Sequence, residues 1–269
     1  MIFRKALAFL KRDFLINSSY KLSFLFDAGS IFFSVLTFFF IARLFGKNAE
    51  GYLGAYGGGY FPFVLVGIAF SGYMGAAMGS FTQVINEERF SGTLEAVLLS
   101  PTKISVLLIC GSAWNFIFTS FRVVVYLVVG WAFFGFGLDK ANIFSACVIL
   151  VLTIISFSGL GIMSAACLLV LKRGDPINWL FSGLSKFLAG VYFPISILPI
   201  WAQKISYLLP LTYSLEAIRK ALITGSSIKE LIVPVIALGV FCVIFMPLSI
   251  FVFKFALRKT IKDGSLTHY

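Results

Sequence analysis

Three ionisable side chains, Asp27, Arg122 and Lys186, lie inside long apolar runs of this 269-residue sequence. A charge at the centre of a membrane helix costs about 2.5–3.5 kcal/mol on insertion scales, so such a residue must face protein or a water-filled path. Asp27 stands about a turn from the edge of its run, where a capping or interfacial role is expected. Arg122 and Lys186 lie deeper. They either hold helices together or snorkel to the outer headgroups, or they line a pathway. Two deep cations with no deep carboxylate beyond Asp27 do not form a proton relay; they would suit an anionic, phosphate-bearing cargo.

Other chemistry is missing from the chain. Gly46-Lys47 lacks the upstream glycine and the following Ser or Thr of a phosphate-binding loop, and there is no HExxH or GxSxG. No pair of acids within an apolar run is spaced to hold magnesium. The four cysteines, Cys110, Cys147, Cys167 and Cys242, fall in apolar stretches without a CxxC pair, and His268 is the one histidine. Neither a metal site nor a disulfide framework is expected. Without a catalytic constellation the chain is not expected to be an enzyme, and any energy must come from an ion gradient or a partner.

Composition defines the elements that position these residues. Apolar residues make up 59% of the chain, charged residues 12%, and there are 32 phenylalanines. A soluble fold could not cover that apolar surface, whereas lipid can, with about 20 apolar residues per spanning helix. The net charge of +11 is spread between apolar stretches. It therefore reports membrane topology, and nucleic acid is not an expected partner.

The expected fold is an all-α membrane protein forming one permease domain over residues 1–269. Residues 1–21 place Phe3, Leu7, Leu10 and Phe14 on one helical face and Arg4, Lys5, Lys11 and Arg12 on much of the other. That pattern predicts an amphipathic helix in the inner membrane interface, against anionic lipid headgroups. Six spans are predicted at 22–45, 60–85, 104–137, 143–171, 179–198 and 231–255. Gly75 and Gly79 give the second a small-xxx-small spacing that allows close helix approach. Lys and Arg are most biased around the first two spans and the C-terminal end, which places both termini in the cytoplasm.

Two connections stand out. In 86–103, Ser91 or Thr93 can cap a short helix that Ser100-Pro101 would end, with Phe90, Leu94, Val97 and Leu98 on one side. Such a helix can insert into a partner's groove. After the fifth span, Pro194, Pro199 and Pro210 interrupt a stretch too apolar for a free loop. Short re-entrant helices over 199–230, covered by other protein, reconcile these features.

Glu87-Glu88-Arg89-x-Ser91-Gly92-Thr93-Leu94-Glu95 followed by Leu98-Leu99-Ser100-Pro101 resembles the coupling-helix signature of ATP-binding-cassette (ABC) exporter permeases of the type-2 class. Gly190-Val191-Tyr192-Phe193-Pro194-Ile195, Leu198-Pro199-x-Trp201, Leu209-Pro210-Leu211-Thr212-Tyr213 and Glu216-Ala217-x-Arg219 are similar to that family's signature for re-entrant helices on the outer side. The resemblance implies a plasma (inner) membrane permease that moves a lipid-linked, polysaccharide or amphipathic drug-like cargo outward between two copies. It also implies two separate ATPase subunits carrying ATP and Mg. Glu87, Glu88, Arg89, Phe90, Gly92, Thr93, Leu94, Glu95, Ser100 and Pro101 would contact them, as would the N-terminal helix. Lys172, Arg173 and Asp175 would form a second, shorter contact.

The rival class is a secondary transporter or channel not powered by ATP, which deep carboxylates or an inverted repeat would favour. The sequence shows neither. The topology has a direct test: cysteines placed at Ser265 and Asn48 should label from opposite sides of the membrane. Labelling from one side would contradict six crossings.

Overall fold

The computed structural model describes residues 2–19, 21–57, 59–92, 104–171 and 175–262, and within them it is helical without strands. In chain order the helices are α1 (Ile2–Ser19), α2 (Lys21–Ala49), α3 (Tyr60–Phe90), α4 (Ile104–Phe134), α5 (Ile143–Leu171), α6 (Pro176–Leu188), α7 (Ile200–Ser206), α8 (Pro210–Arg219) and α9 (Ile232–Lys262). Short 3-10 turns join α2 to α3 and precede α7, and a π-turn, Lys220–Thr224, follows α8.

Among the described residues five helices, α2, α3, α4, α5 and α9, are long and apolar enough to cross a membrane. Four extend close to, or beyond, the predicted limits, but α4 stops at Phe134 rather than 137. The fifth predicted span, 179–198, differs more. It contains most of α6, whose 13 residues reach about 20 Å, short of a hydrocarbon core of about 30 Å. The run stays apolar to Leu198, but Gly190 turns the backbone at φ 75° and Pro194 and Pro199 adopt extended conformations. Hydropathy does not register these breaks, because Ile195, Ile197 and Leu198 carry it through them.

The centre of the bundle is α3, where 72% of the most apolar window is buried, against 11% in α2 and α9. It packs on α4 and α5, and α5 in turn packs along α9. Ser156 Oγ donates to the Leu238 carbonyl at 3.2 Å and Thr260 Oγ1 to the Leu169 carbonyl at 3.3 Å, tying the middle and the C-terminal end of α5 to α9. The α2 and α9 helices leave Phe26, Phe33, Phe251 and Phe255 exposed, an outer surface suited to lipid.

The short helices are held by packing rather than length. Pro210 starts α8, where its missing N–H is no loss. Leu211, Leu215 and Ile218, at i, i+4 and i+7, are buried on the face that meets α3, α5 and α9. Thr212 Oγ1 donates to the Ser206 carbonyl at 2.6 Å, and Ser206 Oγ donates to the Leu188 carbonyl at 2.6 Å. These bonds link α8, α7 and the end of α6. At the other extreme of the chain, α1 lies on α4, with Phe14 edge-on to Trp114 at 5.8 Å.

Burial separates two apolar substitutions of similar chemistry. Leu215→Ala, at a fully buried position, should destabilise the detergent-purified protein by about 3 kcal/mol in thermal unfolding. Phe251→Ala, on the exposed face of α9, should leave the midpoint nearly unchanged.

Candidate functional site: a cationic groove between α3, α4 and α6

Arg122 on α4 and Lys186 on α6, 64 positions apart in sequence, line one groove of about 480 Å³. Its floor is the stripe Gly72, Gly75, Ala76 and Gly79 of α3, where the small side chains leave the space. Gly75 is exposed and has no heavy atom within 4 Å of the place a Cβ would occupy, so the groove is open along this edge. Lining positions on α3 run from Ile68 to Gln83, about 22 Å along the axis. Tyr126 and Tyr192 stand at the Ile68 end, Gln83 and Asn115 at the other. No carboxylate is among the described lining residues.

The two cations differ in their partners. Arg122 Nη2 lies 3.6 Å from Asp27 Oδ1 on α2, an ion pair too long for a hydrogen bond, with both side chains partly exposed. Asp27, inside α2 rather than at its start, is therefore the partner of a groove cation and not a helix cap. Lys186 has no carboxylate within 4.0 Å among the described residues. Thus both readings of Arg122, as ion-pair member and as groove lining, hold together, whereas Lys186 only lines the groove.

Polar contacts run from the groove toward the end of α3. Asn115 Nδ2 donates to Gln83 Oε1 at 3.4 Å, and Gln83 Nε2 donates to Glu87 Oε1 at 2.7 Å. Gln83 and Asn115 also line a second crevice, of about 330 Å³, with Arg12, Asp13, Glu87, Glu88 and Trp114. Arg12 of α1 approaches Glu88 at 4.0 Å. Glu87, Glu88, Arg89 and Phe90 continue α3, and Phe90 is 90% exposed. The helix ends where Gly92 takes a positive φ of 68°, a conformation that glycine adopts without a Cβ clash. Thr93, Leu94, Glu95, Ser100 and Pro101 lie outside the described residues, as do Lys172 and Arg173.

Asp175 joins three helices beside this end. Its carboxylate caps α6 by accepting the Asn178 N–H at 3.0 Å, and accepts from Thr82 Oγ1 of α3 at 3.1 Å and from Ser164 Oγ of α5. The resemblance offered Asp175 only as part of a second ATPase contact; the Asp-Pro start of a helix was the available signal for the cap.

At the opposite end Arg219 closes the bundle. Its guanidinium is buried, stacks over the Phe63 ring at 3.5 Å, and donates from Nε to the Phe63 carbonyl at 3.0 Å. Nη2 donates to the carbonyls of Gly190 and Val191, each at 2.9 Å. The three carbonyl acceptors are the groups that offset loss of water around the buried charge. Gly67 makes room, since a Cβ there would collide with Nη2 and the Val191 carbonyl. The two halves of the outer signature thus meet: Gly190-Val191 supplies the acceptors and Arg219 the donors. Pro194, Pro199 and Pro210 set the breaks and the start of α8. Trp201 is mostly exposed, Tyr213 Oη donates to the Tyr207 carbonyl at 3.0 Å, and Glu216 pairs with Lys220 at 2.8 Å.

Sequence reasoning did not single out Ser80, Gln83, Asn115 or Thr119 as groove residues, because scattered neutral polar residues in apolar helices carry no spacing signal. Among the described residues no group of three His, Cys, Asp or Glu side chains could hold a metal.

Five long apolar helices among the described residues define a multi-pass membrane protein. Residues 4–223 match the ABC-2 type transporter family, and the chain belongs to it. It is therefore a transmembrane permease component of an ABC transporter. No curated protein matches the sequence closely enough to add to this.

The Arg219 junction predicts a graded stability effect. Arg219→Met should leave three carbonyls without their donors and cost roughly 3 kcal/mol in thermal unfolding. Arg219→Lys, which keeps the charge without the fork, should fall between Met and the native residue.

Proposed function

We propose that this permease is the transmembrane half of an ATP-driven exporter, and that its α3–α4–α6 groove carries the cargo outward. The observation that carries this reading is the meeting of Arg122 and Lys186 in one open groove about 22 Å long, within a chain of the ABC-2 type transporter family. A second copy facing the small-residue stripe would close the open edge and complete a pathway. Two ATPase subunits, with ATP and Mg, would sit below. The cargo is lipid-linked, a polysaccharide or an amphipathic drug-like molecule.

In this reading both termini are cytoplasmic and the membrane is the plasma (inner) membrane. The α1 helix lies in the inner interface beside the end of α3. The short α6 enters from the cytoplasm, and α7 and α8 fold back from the outer side to complete a sixth crossing. Glu87 to Phe90 lead out of the bundle into the coupling segment that continues through Glu95 to Pro101. Asp175, with Lys172 and Arg173, forms the second contact. The hydrogen bonds from Asn115 through Gln83 to Glu87, and from Thr82 to Asp175, supply links from these contacts to the groove.

Coupling has its own test. Phe90→Asp and Glu95→Lys should each leave the permease folded but detach a co-purifying ABC ATPase, or abolish cargo-stimulated ATP hydrolysis. Native ATPase retention and stimulation in both variants would contradict the coupling role. Transport by the permease reconstituted alone, driven by an ion gradient, would contradict the ATP-driven reading.

A further inference from the structure

One face of α9 passes from apolar to cationic without changing direction. Val240, Ile244, Phe251 and Phe255 are exposed along it, and Lys254, Arg258 and Lys262, also exposed, continue the stripe at i, i+4 and i+8. At 3.6 residues per turn these seven positions share an arc of about 100°. Lys259, exposed as well, stands at its edge. Ser249, Phe253, Ala256 and Thr260 occupy the opposite face and are buried, and Thr260 there bonds the Leu169 carbonyl of α5. The cationic face is thus turned away from the bundle.

These charges lack a counter-ion within the protein. Among the described residues none of the four cations has a carboxylate within 4.0 Å. From Leu231 to Tyr269 the sequence holds one acid, Asp263, which lies outside the described residues. Lys254, Arg258 and Lys262 form successive like-charge pairs at i, i+4, which destabilise a helix unless an anion joins them. An anionic phospholipid presents acyl chains and then a phosphate, the same order as the stripe. Lys254 and Lys262 are about 12 Å apart along the axis, and their long side chains can converge on one phosphate level by snorkelling.

We infer that this end of α9 binds an anionic phospholipid, with its acyl chains against Phe251 and Phe255 and its phosphate held by Lys254, Arg258 and Lys262. The lipid is a fixed partner of the helix rather than cargo, because no α9 residue is among the described lining of the groove. The inference therefore stands apart from the transport reading. Through the Thr260 bond the lipid also steadies the end of α5, the helix whose Ser164 bonds Asp175.

The test places photoreactive benzoylphenylalanine at Phe255 of the full-length permease. Nanodiscs contain equal amounts of phosphatidylglycerol and phosphatidylcholine with identical acyl chains, and mass spectrometry counts the cross-linked lipids. Phosphatidylglycerol should be captured about fivefold more often than phosphatidylcholine, roughly the attraction of one interfacial cation. The same reporter at Ile236, exposed at the other end of α9, should capture both equally. Combined Lys254→Gln, Arg258→Gln and Lys262→Gln should return Phe255 to equal capture. Combined Lys254→Arg and Lys262→Arg should keep the preference. Equal capture at Phe255 in the otherwise native chain would overturn the inference without any charge variant being needed. A preference surviving the triple Gln change, or one equally strong at Ile236, would also overturn it. Repeated in native membranes, capture of protein in place of lipid at Phe255 would assign the face to a protein partner and contradict the lipid site.

Discussion

Where α6 breaks at Gly190, backbone carbonyls leave their helix inside a packed bundle and have to find donors there. Arg219 provides them. One guanidinium joins the carbonyls of Gly190 and Val191 to that of Phe63 in the first turn of α3, with the Phe63 ring against its face. Unsatisfied carbonyls in a low-dielectric interior cost several kcal/mol, so a helix cannot stop there without such a partner. This contact permits α6 to be short, and the short α6 in turn leaves the space that α7 and α8 fill. It also fixes the end of α6 against α3, the two helices that bring Lys186 over the Gly72–Gly79 stripe.

The opposite end is pinned by a different chemistry. Asp175 gathers α3, α5 and α6 through neutral donors on Asn178, Thr82 and Ser164. With α6 held at both ends, the end of α3 and the groove are joined by packed helices and hydrogen bonds rather than by loops. The Gln83 amide belongs to both regions, bonding Glu87 on one side and Asn115 on the other. Between the two anchors the groove needs few specific contacts of its own. Small residues make the space and two cations set its sign.

The long helices were legible in the sequence because apolar runs of this length have one solution in lipid. Residues 143–171 were delimited as the structure has them, and the other four long spans differ at their ends. The short α6 was not legible, since hydropathy averages over Gly190 and Pro194 without registering the break. Arg122 and Lys186 could be picked out individually from the cost of burying charge, but their convergence is a tertiary fact. The partner of Asp27 was hidden for the same reason, since it lies 95 positions away, on α4. Arg219 entered the sequence reading only as part of the signature for re-entrant helices on the outer side, with no partner assigned. Only the packing of α8 into the bundle turns it inward. Ser80 carried no sequence signal, being one serine among many in an apolar run.

The central claim is that the groove between α3, α4 and α6 is an aqueous path rather than a lipid-filled crease. Single cysteines at Gly75, at Lys186 and at Phe251, in a background with the four native cysteines replaced, test it in intact membranes with a small water-soluble thiol reagent. The account predicts reaction at Gly75 and Lys186 and none at Phe251 on the exposed face of α9. Equal protection of all three positions would contradict it.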